Sequence, residues 1–222
     1  MQTYNNDKSL ILIHIPKTAG ISVKEIYQHW FSDRLLFHYY DAKAKKKPIK
    51  HDLSVQIKEG PVFVYGHFNR SKEFGIEHYY PEVEQFITIL RDPFEMAISG
   101  YFYVKKTNPD WRVQLTLHKG GLHDYLSTMH SGLLNFFPCE ITFDNYKEVI
   151  ETKFIEIGVT EHLDESMQRI AKKLGQSYSP NSIRRLNITK RDQNIPYELK
   201  QDFMKRHSLE FAIYNYVLDK YK

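Results

Sequence analysis

Cysteine is almost absent from this sequence, and glycine and proline are scarce. Cys139 is the only cysteine among 222 residues, which excludes an intramolecular disulfide framework and a zinc site built from several cysteines. With 10 glycines and 9 prolines, the chain is not collagen-like or of low complexity. No apolar run approaches about 18 residues, so we expect no membrane-spanning helix. Residues 1–9 are too polar for a signal peptide, and we therefore expect a cytoplasmic protein.

Charge of one sign is not in large excess either. Lysine and arginine number 31 against 27 acidic residues, giving a net charge of +4, which does not indicate a nucleic-acid partner. Hydrophobic residues make up 41% of the chain and charged residues 26%, as in a soluble globular protein. A chain of this length can bury roughly 70% of its unfolded surface. Without repeats or a linker-like segment, residues 1–222 are predicted to form a single domain.

Short apolar runs alternate with amphipathic segments. The runs predict strands at residues 9–15, 61–65, 85–90 and 154–159. Helices are predicted at residues 21–30, from 93 onward, at 161–174, and from 196 onward as two helices broken near Ser208. Asp92 is expected to cap the second of these helices, with Pro93 at its first position and Glu95 completing a capping box. The alternation predicts an α/β fold of three layers, with a mainly parallel central sheet flanked by helices.

The first strand is joined to the first helix by a segment suited to bind an anion. It reads His14-Ile15-Pro16-Lys17-Thr18-Ala19-Gly20-Ile21-Ser22. Backbone amides at the start of a helix attract negative charge, Ala19 and Gly20 allow close approach, and Lys17 and Ser22 add a cation and a hydroxyl. An ordinary strand–turn–helix with a solvated lysine remains the alternative. An ATP-binding P-loop is disfavoured, because the dipeptide Gly-Lys occurs nowhere in the chain.

A second candidate anion site follows a later strand. The run Ile89-Leu90-Arg91-Asp92-Pro93 places Arg91 at the carboxyl end of that strand, where ligands bind in open α/β sheets. Ser99 lies two turns into the helix that follows. An arginine and a hydroxyl that converge there are suited to a second phosphate. Taken separately, Arg91 is also consistent with a structural ion pair, and Ser99 with an exposed helix position.

Together, I-P-K-T-A-G-x-S and L-R-D-P-x-x-x-x-x-S resemble the two signatures with which sulfotransferases bind 3′-phosphoadenosine 5′-phosphosulfate (PAPS). The closest resemblance is to carbohydrate sulfotransferases of the heparan sulfate 2-O-sulfotransferase type. It implies a P-loop-like fold in which the first loop binds the 5′-phosphosulfate, while Arg91 and Ser99 bind the 3′-phosphate. The donor-binding residues implied for the first loop are Lys17, Thr18, Ala19, Gly20, Ile21 and Ser22.

Three further segments, in the order expected, extend the resemblance over roughly residues 9–190. Tyr65-Gly66-His67-Phe68 resembles the family's G-H motif, which implies that His67 is the catalytic base. The segments at 157–161 (I-G-V-T-E) and 186–190 (L-N-I-T-K) resemble a G-x-T-E junction and a loop that closes over the donor. Ala19 and Ile21 depart from the glycine and threonine often found in the first loop, and the chain is short for the family.

The resemblance implies a PAPS-dependent enzyme that transfers a sulfuryl group to a hydroxyl acceptor, most plausibly a saccharide or glycoconjugate. His67 would take the acceptor proton, and Lys17 would stabilise the leaving bisphosphate, PAP. This chemistry requires no metal, and we expect none. Two alternatives stay open: a non-catalytic protein that binds a nucleotide or polyanion, and a small-molecule kinase that binds Mg-ATP.

Overall fold

The computed structural model describes residues 1–41, 44–54, 60–107, 121–180 and 195–221. Within these residues, the strands form one five-stranded, all-parallel sheet in the order β2-β3-β1-β4-β5. The strands are β1 (Leu10–Ile13), β2 (Leu35–His38), β3 (Phe63–Gly66), β4 (Phe86–Leu90) and β5 (Phe154–Val159). Four of them were predicted, and β2 was not. β1 ends two residues earlier than expected, so His14 and Ile15 belong to the loop that follows it.

Helices connect the strands and extend the fold at its C-terminal end. In the described residues they are α1 (Gly20–Phe31), α2 (Ile76–Tyr79), α3 (Pro93–Thr107), α4 (Gly121–Thr128), α5 (Tyr146–Lys153), α6 (Leu163–Leu174), α7 (Tyr197–Arg206) and α8 (Ser208–Leu218). The predicted break between the two C-terminal helices is confirmed at His207. The donor-closing segment expected at 186–190 lies outside the described residues.

Hydrophobic side chains of the sheet alternate between two faces, as expected for extended strands. Leu10 and Leu12 of β1 pack on α1 and α6, in a cluster that includes Tyr27 and Met167. Residues of the same strand that point the other way pack with β5, α5 and α8 in a second cluster. The three-layer α/β architecture with a parallel sheet is therefore confirmed.

The start of α3 confirms its predicted cap and corrects one detail. The Asp92 carboxylate accepts hydrogen bonds from the backbone N–H groups of Phe94 and Glu95, at 2.8 and 3.0 Å. Glu95 does not complete the capping box. The backbone N–H of Asp92 instead donates to Glu161, which follows β5, at 3.1 Å. The helix that carries Ser99 is thus joined at its start to the neighbouring strand end.

In the described parts of the chain, no group of three or more histidine, cysteine, aspartate or glutamate side chains is placed to hold a metal ion. None of the helices described there has the length and apolar character needed to cross a membrane.

Candidate active site

The carboxyl ends of β1, β3, β4 and β5 meet at a cavity of about 300 Å³. Parallel strands place all their carboxyl ends on one edge of the sheet, and ligands of open α/β folds bind at that edge. The cavity gathers every predicted site residue except Thr18. Its lining comprises His14, Pro16, Lys17, Ala19, Gly20, Ile21, Ser22, His67, Arg91, Ser99, Tyr103 and Thr160.

The loop from β1 to α1 reaches the helix through two residues in the left-handed backbone region. Lys17 has a φ of 72° and Ala19 a φ of 62°, although neither is glycine. Such backbone conformations are costly and are kept only where the surroundings fix them. Thr18, between them, turns inward: it is 2% exposed and its hydroxyl donates to the Ile15 carbonyl at 2.8 Å. The Thr18 side chain therefore stabilises the loop from inside the protein and does not line the cavity.

Gly20 begins α1 directly against the ring of His14. A Cβ at position 20 would lie 1.7 Å from His14 Nε2, so no other residue fits without displacing that ring. The Tyr65 hydroxyl donates to the Gly20 carbonyl at 2.9 Å, and His14 Nδ1 shares a 3.0 Å hydrogen bond with the Tyr39 hydroxyl. Burial, followed by the nearby His67 and Lys17, lowers the pKa of His14 to about 3. His14 is thus an uncharged support under the helix start at neutral pH.

Two cations lie side by side in the cavity. The Arg91 guanidinium donates to the backbone carbonyl of Lys17 at 3.2 Å, which fixes the arginine against the loop. Arg91 also lies 3.8 Å from the Glu95 carboxylate, one turn along α3. Burial and the charge of Arg91 lower the pKa of Lys17. Two adjacent positive groups repel each other, and a bound polyanion would attract both.

Two buried serines add hydroxyl groups to the same cavity. Ser22, in the first turn of α1, and Ser99, in α3, are each 8% exposed and line the cavity. Ser99 is therefore not an exposed helix position. With the N-terminal amides of α1, these groups add hydrogen-bond donors for an anion to the cavity that Lys17 and Arg91 line.

His67 follows β3 and is held at the cavity wall by two hydrogen bonds. Its backbone N–H donates to the His38 carbonyl at 2.9 Å, and its Nδ1 lies 2.6 Å from the His14 carbonyl oxygen. A carbonyl oxygen can only accept, so Nδ1 carries the proton and Nε2 is the nitrogen left to accept one. Burial lowers the pKa of His67, which favours the neutral ring. This is the protonation state that a general base needs.

The absence of a side chain at Gly66 allows the hydrogen bond between the His67 N–H and the His38 carbonyl. A Cβ at position 66 would lie 1.9 Å from the His38 carbonyl oxygen, which is the same oxygen that the His67 N–H contacts. A side chain there would push β2 and β3 apart. The glycine of the G-H pair therefore sets where the histidine leaves the sheet.

The structure adds residues to the site that the sequence did not assign to it. Thr160 and Tyr103 line the cavity, and the Lys17 ammonium lies 3.8 Å from the centre of the Tyr103 ring. Glu161 accepts the Asp92 N–H through one carboxylate oxygen and the Thr160 hydroxyl through the other, both at 3.1 Å. The spacing in the sequence could have indicated Tyr103, because it lies four residues after Ser99 and therefore on the same face of α3.

No protein-family model matches this chain, and no curated protein matches it. Solved structures with a similar fold include the mouse sulfotransferase SULT7A1 complexed with PAP. That likeness has a TM-score of 0.45 and 13% identity, and covers 95% of this chain and 67% of the mouse one. A sulfotransferase from Alicyclobacillus acidocaldarius gives a TM-score of 0.48 and 10% identity, covering 96% of this chain and 97% of that one. Similarities this distant do not show what activity this chain has.

Proposed function

We propose that this protein is a PAPS-dependent sulfotransferase that acts on a hydroxyl acceptor. One observation carries the proposal: the loop with Lys17, the Arg91–Ser99 pair and His67 come from three separate strand ends and line one cavity. The first two match the sulfotransferase donor signatures in sequence, and the third is a histidine with an unprotonated Nε2. Because the motifs resemble those of carbohydrate sulfotransferases of the heparan sulfate 2-O-sulfotransferase type, the acceptor that we propose is a saccharide or glycoconjugate.

The residues present fit the proposed donor. PAPS carries a phosphosulfate at one end and a 3′-phosphate at the other, so its site needs cations and hydrogen-bond donors at two places. Lys17, Ser22 and the α1 amides supply one place, and Arg91 and Ser99 supply the other. Ile21 brings no hydroxyl to the first, and it is 57% exposed at the cavity wall.

When bound, PAPS supplies a sulfuryl group joined to a good leaving group. His67 Nε2 accepts the proton of the acceptor hydroxyl as that oxygen forms its bond to sulfur. Lys17 and the first amides of α1 stabilise the electron pair that passes to the phosphate oxygen when its bond to sulfur breaks. Arg91 and Ser99 hold the other end of the donor, which keeps the three reacting atoms in line. The products are the sulfated acceptor, PAP and a proton on His67.

The direct test is transfer of radiolabelled sulfate from PAPS to a panel of hydroxyl-bearing saccharides, with simple alcohols and phenols included. We expect His67→Ala and His67→Asn to lower the transfer rate by about 100-fold or more, since a general base contributes roughly 10²–10⁴-fold. The asparagine amide can still donate to the His14 carbonyl, so His67→Asn keeps the contact and removes the base. His29→Ala, which changes an exposed histidine at the other end of α1, is the matched control.

Binding of PAP by the two His67 variants should stay close to that of the wild type. A variant that loses transfer and PAP binding together would place His67 in donor binding instead of proton transfer. A wild-type protein that binds PAP and sulfates nothing in the panel would favour the non-catalytic alternative.

A further inference from the structure

Tyr103 occupies a position in the cavity that neither anion-binding motif accounts for. It lies one turn beyond Ser99 on α3, is 54% exposed, and lines the cavity. Its ring lies over Lys17, with the ammonium 3.8 Å from the ring centre. This distance is well inside the range of about 6 Å over which an aromatic face attracts a cation.

Lys17 needs such a partner more than an ordinary surface lysine does. Its backbone is fixed, because it has a left-handed φ of 72° and its carbonyl accepts the Arg91 hydrogen bond. Its side chain, in contrast, has four rotatable bonds. No ion pair joins its ammonium to a carboxylate of the described residues. The neighbouring Arg91 repels that ammonium. Within the described residues, the face of the Tyr103 ring is a contact able to hold that ammonium.

We propose that Tyr103 is a positioning residue that holds the Lys17 ammonium in the donor cavity through the face of its ring. The identity of the anion that Lys17 then meets rests on the proposed function, whereas the contact between the two side chains does not. Phenylalanine has the same face and should serve equally well. Leucine fills a similar volume without that face and should not.

Two measurements on Tyr103→Leu and Tyr103→Phe test this proposal without any acceptor. The first is PAP affinity by calorimetry. The second is the pH dependence with which an amine-specific acylating reagent labels Lys17, read by mass spectrometry. Tyr197→Leu, at a 71% exposed tyrosine on α7, is the control for loss of an exposed ring. Circular dichroism confirms that each variant is folded.

We expect Tyr103→Leu to weaken PAP binding about two- to fivefold, the range of a partly exposed cation–π contact. Its Lys17 labelling midpoint should move to lower pH, because the ammonium loses a stabilising partner while burial stays similar. Tyr103→Phe and Tyr197→Leu should match the wild type in both measurements.

Three results would overturn the proposal. Tyr103→Leu could match the wild type in both measurements, which would make the ring contact incidental. It could bind PAP more tightly, which would show that the ring obstructs the donor. Tyr103→Phe could behave like Tyr103→Leu, which would assign the effect to the hydroxyl. If the wild type binds no PAP while the labelling midpoint still shifts, the contact stands and its assignment to a sulfuryl donor is lost with the proposed function.

Discussion

Among single residues, His67 shows most directly how the backbone prepares a side chain for chemistry. The His14 carbonyl selects its tautomer, and burial keeps its ring neutral. The His14 ring stacks on it with 4.3 Å between centres, and the Tyr39 ring contacts it edge-on at 4.9 Å. These contacts leave the ring little freedom to rotate, so Nε2 is held in one orientation at the cavity wall.

The lowered pKa of His67 sets the expected pH dependence of the reaction. Only the neutral ring accepts a proton, so kcat/KM should fall as pH decreases through the pKa of His67 in the free enzyme. Because burial lowers that pKa, the fall should lie below pH 6.5, the ordinary histidine value. A profile of kcat/KM between about pH 5 and 8 measures it.

The charge of Lys72 also lowers the pKa of His67, and this provides a control. Lys72→Gln should move the fall in kcat/KM toward higher pH without abolishing transfer. A fall centred above pH 6.5 in the wild type would contradict the assigned environment of His67.

At the scale of elements, the conformation of the loop from β1 to α1 depends on close packing between Gly20 and the His14 ring. The backbone of the loop is left-handed at Lys17 and Ala19, and α1 then begins at Gly20, the glycine of this loop. A glycine is required at position 20 because His14 Nε2 occupies the space that a Cβ would take.

This fit predicts a coupling between two substitutions. Gly20→Ala should lower the free energy of unfolding by about 1–3 kcal/mol, the usual cost of overpacking. The same change should cost much less in a His14→Ala background, where the obstructing ring is gone. Urea unfolding of both single variants and the double variant measures the coupling, which should exceed about 1 kcal/mol.

Gly100→Ala, in α3, is the matched control for replacing a helical glycine by alanine. Its Cβ would meet nothing closer than the Tyr125 hydroxyl at 3.6 Å, and it lies inside α3, so alanine should stabilise the protein by roughly 0.5–1 kcal/mol. Additive effects of Gly20→Ala and His14→Ala would show that the stability of the loop does not depend on the close approach of Gly20 to the His14 ring.

The elements with strong hydrophobic patterns were predictable from the sequence, and those with weak ones were not. β1, β3, β4 and β5 are buried along their whole lengths and are mostly apolar in sequence, interrupted by Thr88 in β4 and Glu156 in β5. β2 is one of the two edge strands, and its apolar run comprises only Leu35, Leu36 and Phe37, which is too short to predict a strand. Glu95 was wrongly expected to complete the α3 cap, because a local motif cannot show that Glu161, from another strand end, takes that place.

At the scale of the whole molecule, the parallel sheet brings together groups that the chain separates widely. The motifs with Lys17 and Arg91 were recognisable in the sequence, and their convergence follows from the rule that parallel strands share one carboxyl edge. The contacts among them were not predictable. The Arg91 bond to the Lys17 carbonyl, the Tyr103 ring on Lys17 and the inward turn of Thr18 depend on side-chain packing across loops.

The net charge of +4 is modest for the chain as a whole, yet two cations lie adjacent in one small cavity. Calorimetric titration of the protein with PAP, without added metal, tests most directly whether this cavity is a donor site. We expect micromolar binding that Lys17→Ala and Arg91→Ala each weaken by about ten- to hundredfold, the range for hydrogen bonds to charged groups. Lys172→Ala, an exposed lysine on α6, should bind as the wild type does. Absence of wild-type binding, or binding by the Lys17 and Arg91 variants equal to that of the wild type, would show that this cavity is not a PAPS site.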